Sequence, residues 1–203
     1  MARRRAKDES LRRFRTEEDA SSFVLPELRK HFDVYEEVCT VGPPPENERY
    51  RLDAVSICKE SGYVLGWEFK RSHLYKKDFV DHLRQAIYYR MAYIDDDRLP
   101  QLRGQRPNAC IAFPGWDGLH DDGSHCYAGE ARGMQLLASH FRVGVVTFPE
   151  KREGFSIVIG ESAVWHSWQG WTGNAAGVLK EKRPLASQRR HDQILHMIKN
   201  TTQ

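Results

Sequence analysis

No Cys-x-x-Cys pair, no run of about 18 apolar residues and no glycine-rich phosphate loop occurs in this 203-residue chain. Each absence excludes something. The four cysteines, Cys39, Cys58, Cys110 and Cys126, lack the paired spacing of a zinc ribbon or a redox centre. Three of them fall in strand-like runs, which reads as reduced core thiols of a cytoplasmic protein. His120, His125 and Cys126 share a Gly- and Asp-rich loop, again without the ligand spacing of a zinc site. With no long apolar run and no signal-peptide pattern, nothing points to a membrane or to secretion. With no phosphate loop, any ATP-driven motor must be a separate chain. Repeats and low-complexity segments are missing too, and the length suits one domain with a substantial core.

What is present begins with charge, unevenly placed. Residues 1–15 hold seven Lys and Arg against two acids, and residues 180–203 hold six against two. The whole chain is +3, which leaves −6 for residues 16–179. A basic N-terminal arm that includes Arg3, Arg4 and Arg5, and a basic end that includes Arg189 and Arg190, therefore flank an acidic body. Such ends suit phosphate contacts, and the body suits divalent cations; solvated termini are the alternative.

The most informative stretch is Arg51-Leu52-Asp53-Ala54-Val55 followed by Val64-Leu65-Gly66-Trp67-Glu68-Phe69-Lys70. Both read as strands, and Lys59-Glu60-Ser61-Gly62 between them has turn chemistry, so a hairpin is expected. Alternation puts Glu68 and Lys70 on one face and Trp67 and Phe69 on the other. Pairing the strands can bring Asp53 beside Glu68, and two carboxylates with a cation nearby are what a hydrolytic metal site requires. A cross-strand salt bridge on an exposed face would use the same residues. Downstream, a helical pattern runs through Val80, Leu83, Ile87, Met91 and Ile94, with Gln85 and Tyr89 on roughly the opposite side. That pair is either solvated or lines a groove. Upstream, Thr16 is a candidate N-cap, with Glu17 and Glu18 in the first turn of an amphipathic segment through Phe23, Val24, Leu28 and Phe32.

The spacing of Asp53 from Glu68-Phe69-Lys70 resembles the PD-(D/E)xK nuclease superfamily, although Leu52 stands where the family's name has proline. Gln85-Ala86-Ile87-Tyr88-Tyr89 resembles the Gln-x-x-x-Tyr element of its RecB-like members. The resemblance implies a restriction-endonuclease-like α/β core, a mixed sheet flanked by helices, over residues 16–160. It implies Asp53 and Glu68 as ligands of Mg²⁺, with Mn²⁺ as a substitute, and Lys70 as the group that orients water or stabilises the transition state. Gln85 and Tyr89 would line the nucleic-acid groove. Many members add a helix-borne glutamate; Glu18 is the candidate here, with Glu36 or Glu37 of the following strand as substitutes.

The remaining pattern gives strands at residues 109–114, 143–148 and 155–159, and a helix at 131–141. Residues 161–203 are set apart as a Trp-rich segment and a basic C-terminal helix. Trp165, Trp168 and Trp171 read first as cover for the core, with base stacking as the alternative. Lys76, Lys77, Arg84 and Arg90 add positive charge near the expected site. The functional expectation is a metal-dependent nuclease acting on DNA in a phage, restriction or repair setting, as a homodimer or within a larger complex. The rivals are an inactive nucleic-acid-binding module and a scaffold that keeps the fold.

Overall fold

The computed structural model describes residues 14, 16–45, 47–71, 76–113, 128–148 and 154–179. Arg3, Arg4, Arg5, Arg189 and Arg190, the His120, His125 and Cys126 loop and the 150–153 turn lie outside them, as do the side chains of Lys76 and Lys77.

Helix α1 (Glu17–Arg29) starts where the sequence says it should. Thr16 accepts from the Asp19 amide, and the Asp19 carboxylate accepts from the Thr16 amide, a capping box. The helix stops before Phe32, which opens β1 (Phe32–Val41) instead. Strands β2 (Arg49–Cys58) and β3 (Val64–Phe69) follow as the expected hairpin partners, antiparallel in sequence. Helix α2 (Lys76–Met91) ends three residues short of the helical pattern. Ile94 lies in a two-residue strand, β4 (Tyr93–Ile94), paired with Thr40 and Val41 of β1, so sheet pairing outweighs local periodicity there.

Strand β5 (Ala109–Phe113), helix α3 (Ala128–Ser139) and strand β6 (Val143–Thr147) come next, then β7 (Ser156–Ile159), β8 (Ser162–His166), β9 (Gly170–Trp171) and the short α4 (Ala175–Leu179). The sheet order is β4-β1-β2-β3-β5-β6-β7-β8-β9. Only β3, β5 and β6 run parallel, so the centre is fed by helical crossovers and both flanks are antiparallel. This is a mixed α/β sheet with helices on both faces. Leu28, Val24 and Leu179 pack with Trp67 and Phe69 on one face; Leu83, Ala86 and Ala138 pack with Cys110 and Ala112 on the other.

Strands β8 and β9 extend the same sheet, and Trp165 is fully buried in its core. Trp171 packs against that core and donates to Cys58 Sγ at 3.0 Å, so these two tryptophans cover apolar surface as expected. Trp168 stacks on His166. Of the three cysteines described, Cys58 and Cys110 are buried, but Cys39 is exposed on β1 and is not a core thiol. No helix among the described residues is long and apolar enough to cross a membrane.

Candidate active site

Strand β3 is buried from end to end because it lies mid-sheet, under helices on both faces. Alternation then forces a charged residue inward. Trp67 and Phe69 stack on the α1 side, 5.9 Å between ring centroids, and Glu68 faces α2 with 1 % of its side chain exposed. The register Ala54↔Trp67 sets Asp53 opposite Glu68. Beyond that pair the strands part. Asp53 Oδ2 takes the Phe69 amide at 2.6 Å, while the Lys70 amide turns to Phe113 of β5. The two carboxylates therefore sit where the β2–β3 ladder opens.

Lys70 Nζ donates to Glu68 Oε1 at 2.6 Å and lies 3.3 Å from Glu17 Oε1. Glu68 Oε2 is buried and has no hydrogen-bond partner among the described residues. Burial, followed by the charge of Asp53, pushes the Glu68 carboxyl up to about 8. Burial also raises Asp53, against the opposing pull of the Phe69 amide and Lys70. On Lys70 burial is the largest single influence and acts downward, but the Glu68 bond and the surrounding carboxylates together hold the amine above its ordinary value. Two acids and one ammonium in a largely buried corner are thus short of positive charge.

Helix α2 supplies the roof. His82, Gln85 and Tyr89 follow at spacings of three and four along one face. His82 Nε2 donates to the Glu68 carbonyl oxygen at 3.2 Å; burial lowers this imidazole to about 3, so it stays neutral. Gln85 Nε2 donates to the Tyr89 hydroxyl at 2.9 Å, and Tyr89 is buried within the electrostatic reach of Glu68, Asp53 and Lys70. The solvated alternative therefore fails for Tyr89, while Gln85 is half-buried beside it. The buried face of α2 is His82, Leu83, Ala86, Tyr89 and Arg90, rotated by about a quarter turn from the Val80–Ile87–Met91 stripe. Arg84, by contrast, points outward and pairs with Asp81.

The acid of α1 that reaches Lys70 is Glu17; Glu18, the candidate from the sequence, does not contact it. Glu18 is exposed, and only its backbone carbonyl is engaged, by Ser21. Glu17 lies three residues before Ala20 and seven before Val24, both fully buried, so it continues the inward face of α1 toward Lys70. Capping falls to Asp19, which frees Glu17 from that task. Glu36 pairs with Arg29, and Glu37 with Arg51 at 3.2 Å; both are exposed. His82 escaped sequence reasoning because a lone histidine in an apolar pattern carries no spacing signal.

Among the described residues no three His, Cys, Asp or Glu side chains gather closely enough to hold an ion by themselves. The donors present fit Mg²⁺ nonetheless. That ion is commonly held by one or two carboxylates, with water and substrate phosphate completing the octahedron. Asp53 and the unpartnered Glu68 Oε2 are such a pair. No family model, no curated protein and no solved structure matches this chain.

Proposed function

We propose that the chain is a metal-dependent nuclease built on a restriction-endonuclease-like core, hydrolysing phosphodiester bonds with DNA as its first substrate. One observation carries the reading: the buried, unpartnered oxygen of Glu68 lies across from Asp53, with Lys70 on the other oxygen of the same carboxylate. An exposed cross-strand salt bridge would not bury its acid to 1 % exposure, since burial of charge without full pairing is costly.

Asp53 and Glu68 would hold the ion, which when bound lowers the pKa of water and neutralises charge on phosphate. Lys70, kept charged by its neighbours, stabilises negative charge developing on the phosphoryl oxygens. Gln85 and Tyr89 present a fixed amide and phenol beside the carboxylates, suited to hold a substrate strand. His82 fixes the backbone of Glu68 from the α2 side. A second reading, a binding or scaffold protein, draws on the contact of Lys70 with both Glu68 and Glu17, which can be an ion-pair cluster with no catalytic task.

Incubation with supercoiled, linear and single-stranded DNA and with RNA, under Mg²⁺, Mn²⁺ or EDTA, separates the two. Cleavage is expected with either ion and none with EDTA, and nicking of the closed circle would mark an endonuclease. Binding without cleavage under every condition would favour the second reading.

The basic ends differ in their relation to the site. Phe14 is buried against Phe113, 5.1 Å between centroids, and Phe113 pairs with Phe69 at the end of β3 nearest Glu68. Phe14 thus enters the fold at the end of β3 that carries Glu68, on the α1 side of the sheet. The Leu179 carbonyl is held by Asn108 and Arg142, just before β5 and β6, so α4 ends at the opposite end of these strands. Deleting residues 2–13 is expected to flatten the log–log salt dependence of DNA binding by about two. Deleting 184–203 should change it less. Anisotropy titrations across a salt series measure both, and equal slopes for parent and arm deletion would assign the arm to another role.

A further inference from the structure

Strands β1 and β2 change faces at the same place. In β1, Phe32 and Val34 pack on the α1 side, but Tyr35 and Val38, three residues apart, pack together on the α2 side. In β2, Leu52 and Val55 lie on the α2 side, with Ala54 on the other. Strict alternation would put Leu52 with Ala54. The register nevertheless runs on from Glu36↔Ala54 to Val38↔Leu52, which sets Glu37 opposite Asp53. Each strand therefore carries one residue too many at this point, Glu37 in one and Asp53 in the other. Glu37 absorbs the mismatch with φ of 54°, a left-handed conformation uncommon for a residue other than glycine.

A clamp holds that kink. Arg98 Nη2 donates to the carbonyl oxygens of Glu36 and Glu37 at 2.9 and 3.0 Å, on both sides of the left-handed residue. The guanidinium is itself fixed by Asp96, with Nε at 2.9 Å and Nη2 at 2.8 Å. Asp96 is buried, and its Oδ2 also accepts from the Cys39 amide at 3.1 Å, just past the kink. Arg98 and Asp96 come from the loop after β4, far from Glu68 in sequence. They touch none of Asp53, Glu68 and Lys70.

We infer that Arg98 and Asp96 are positioning residues: they lock the Glu37 kink, and through the paired slip in β2 the kink aims the Asp53 carboxylate at the Phe69 amide. The inference goes beyond the nuclease reading, because the position of Asp53 can be read without cleavage. Without the kink, β2 would alternate normally: Asp53 would keep the face of Glu68, but its side chain would stand perpendicular to the sheet and would not lean to the backbone amide of Phe69. Conformation, and not the Glu37 carboxylate, is what position 37 must supply.

The test is a set of three variants read by the amide proton of Phe69 in ¹H–¹⁵N spectra. Its bond to a carboxylate at 2.6 Å should give a strong downfield shift in the parent. Glu37→Gly, which adopts the left-handed conformation freely, should keep that shift and keep cleavage within about twofold. Glu37→Val, whose branched side chain opposes it, should lose the shift and lower cleavage by about tenfold or more while remaining folded. Arg98→Ala should behave like Glu37→Val; it leaves Asp96 buried without its partner and can fail to fold, so the Glu37 pair decides. A parent-like Phe69 shift in Glu37→Val would overturn the inference. So would loss of the shift in folded Glu37→Gly. If the parent shows the shift but cuts no nucleic acid under any condition, the nuclease reading fails and the clamp stands.

Discussion

Glu68→Gln is expected to be more stable than the parent at pH 8 without divalent ions, and to be without cleavage at any pH. The Glu68 carboxyl is raised from 4.5 to about 8, by burial first and by Asp53 second. Between those values the folded state holds a proton that the unfolded chain has released. Parent stability should therefore fall as pH rises from about 5 to about 8 and level off above it. At about 1.4 kcal/mol per pKa unit, the fall is on the order of 3–5 kcal/mol. The amide cannot titrate, and its oxygen can still accept from Lys70, so the variant escapes that loss. Its cleavage is gone because the ion loses an anionic ligand. Urea melts across this pH range, beside a cleavage assay, test both halves. A parent profile as flat as that of the variant would remove the buried-acid account, and wild-type cleavage by Glu68→Gln would remove the site. Asp53→Ala should likewise abolish cleavage and leave the circular dichroism spectrum unchanged.

Lys70→Ala should still bind Mg²⁺ or Mn²⁺ but lose turnover by about 10²- to 10³-fold, the range for one preorganised charge in a water-excluded site. Its partners hold the amine above its ordinary value, so Lys70 acts as a cation, and its variant should not merely shift the optimum upward in pH. Lys70→Arg should recover little, because a planar guanidinium cannot take the place of a compact ammonium at 2.6 Å from Glu68 Oε1. Single-turnover rates at saturating substrate measure the effect. Parent-like turnover in Lys70→Ala would leave Lys70 as the ion-pair partner of Glu68 and Glu17 only.

The central hairpin was legible in the sequence because its information is local. Turn residues at 59–62, alternation in Val64–Phe69 and a charge in an apolar run together fix which way Glu68 faces. Apart from β4, the order of the elements through β7 was legible for the same reason. What the sequence hid depends on contacts between distant segments. Ile94 reads as helix until β1 offers it a partner. Gln85 and Tyr89 fall off the apolar stripe, yet α2 buries a face with a histidine, a tyrosine and an arginine, because the strand below carries carboxylates. The choice between Glu17 and Glu18 was within reach, since only Glu17 continues the buried positions of α1. The Arg98–Asp96 clamp was not, because a left-handed glutamate has no sequence signature.

Calorimetric titration with Mg²⁺ near pH 7, in buffers of different ionisation enthalpy, tests the central claim most directly. A Glu68 carboxyl that titrates at about 8 must release its proton when an ion takes its place. The parent should bind with release of close to one proton, and Glu68→Gln should bind far more weakly and release none. Absence of Mg²⁺ binding by the folded parent, or identical binding and proton release in parent and variant, would contradict a metal site at Asp53 and Glu68.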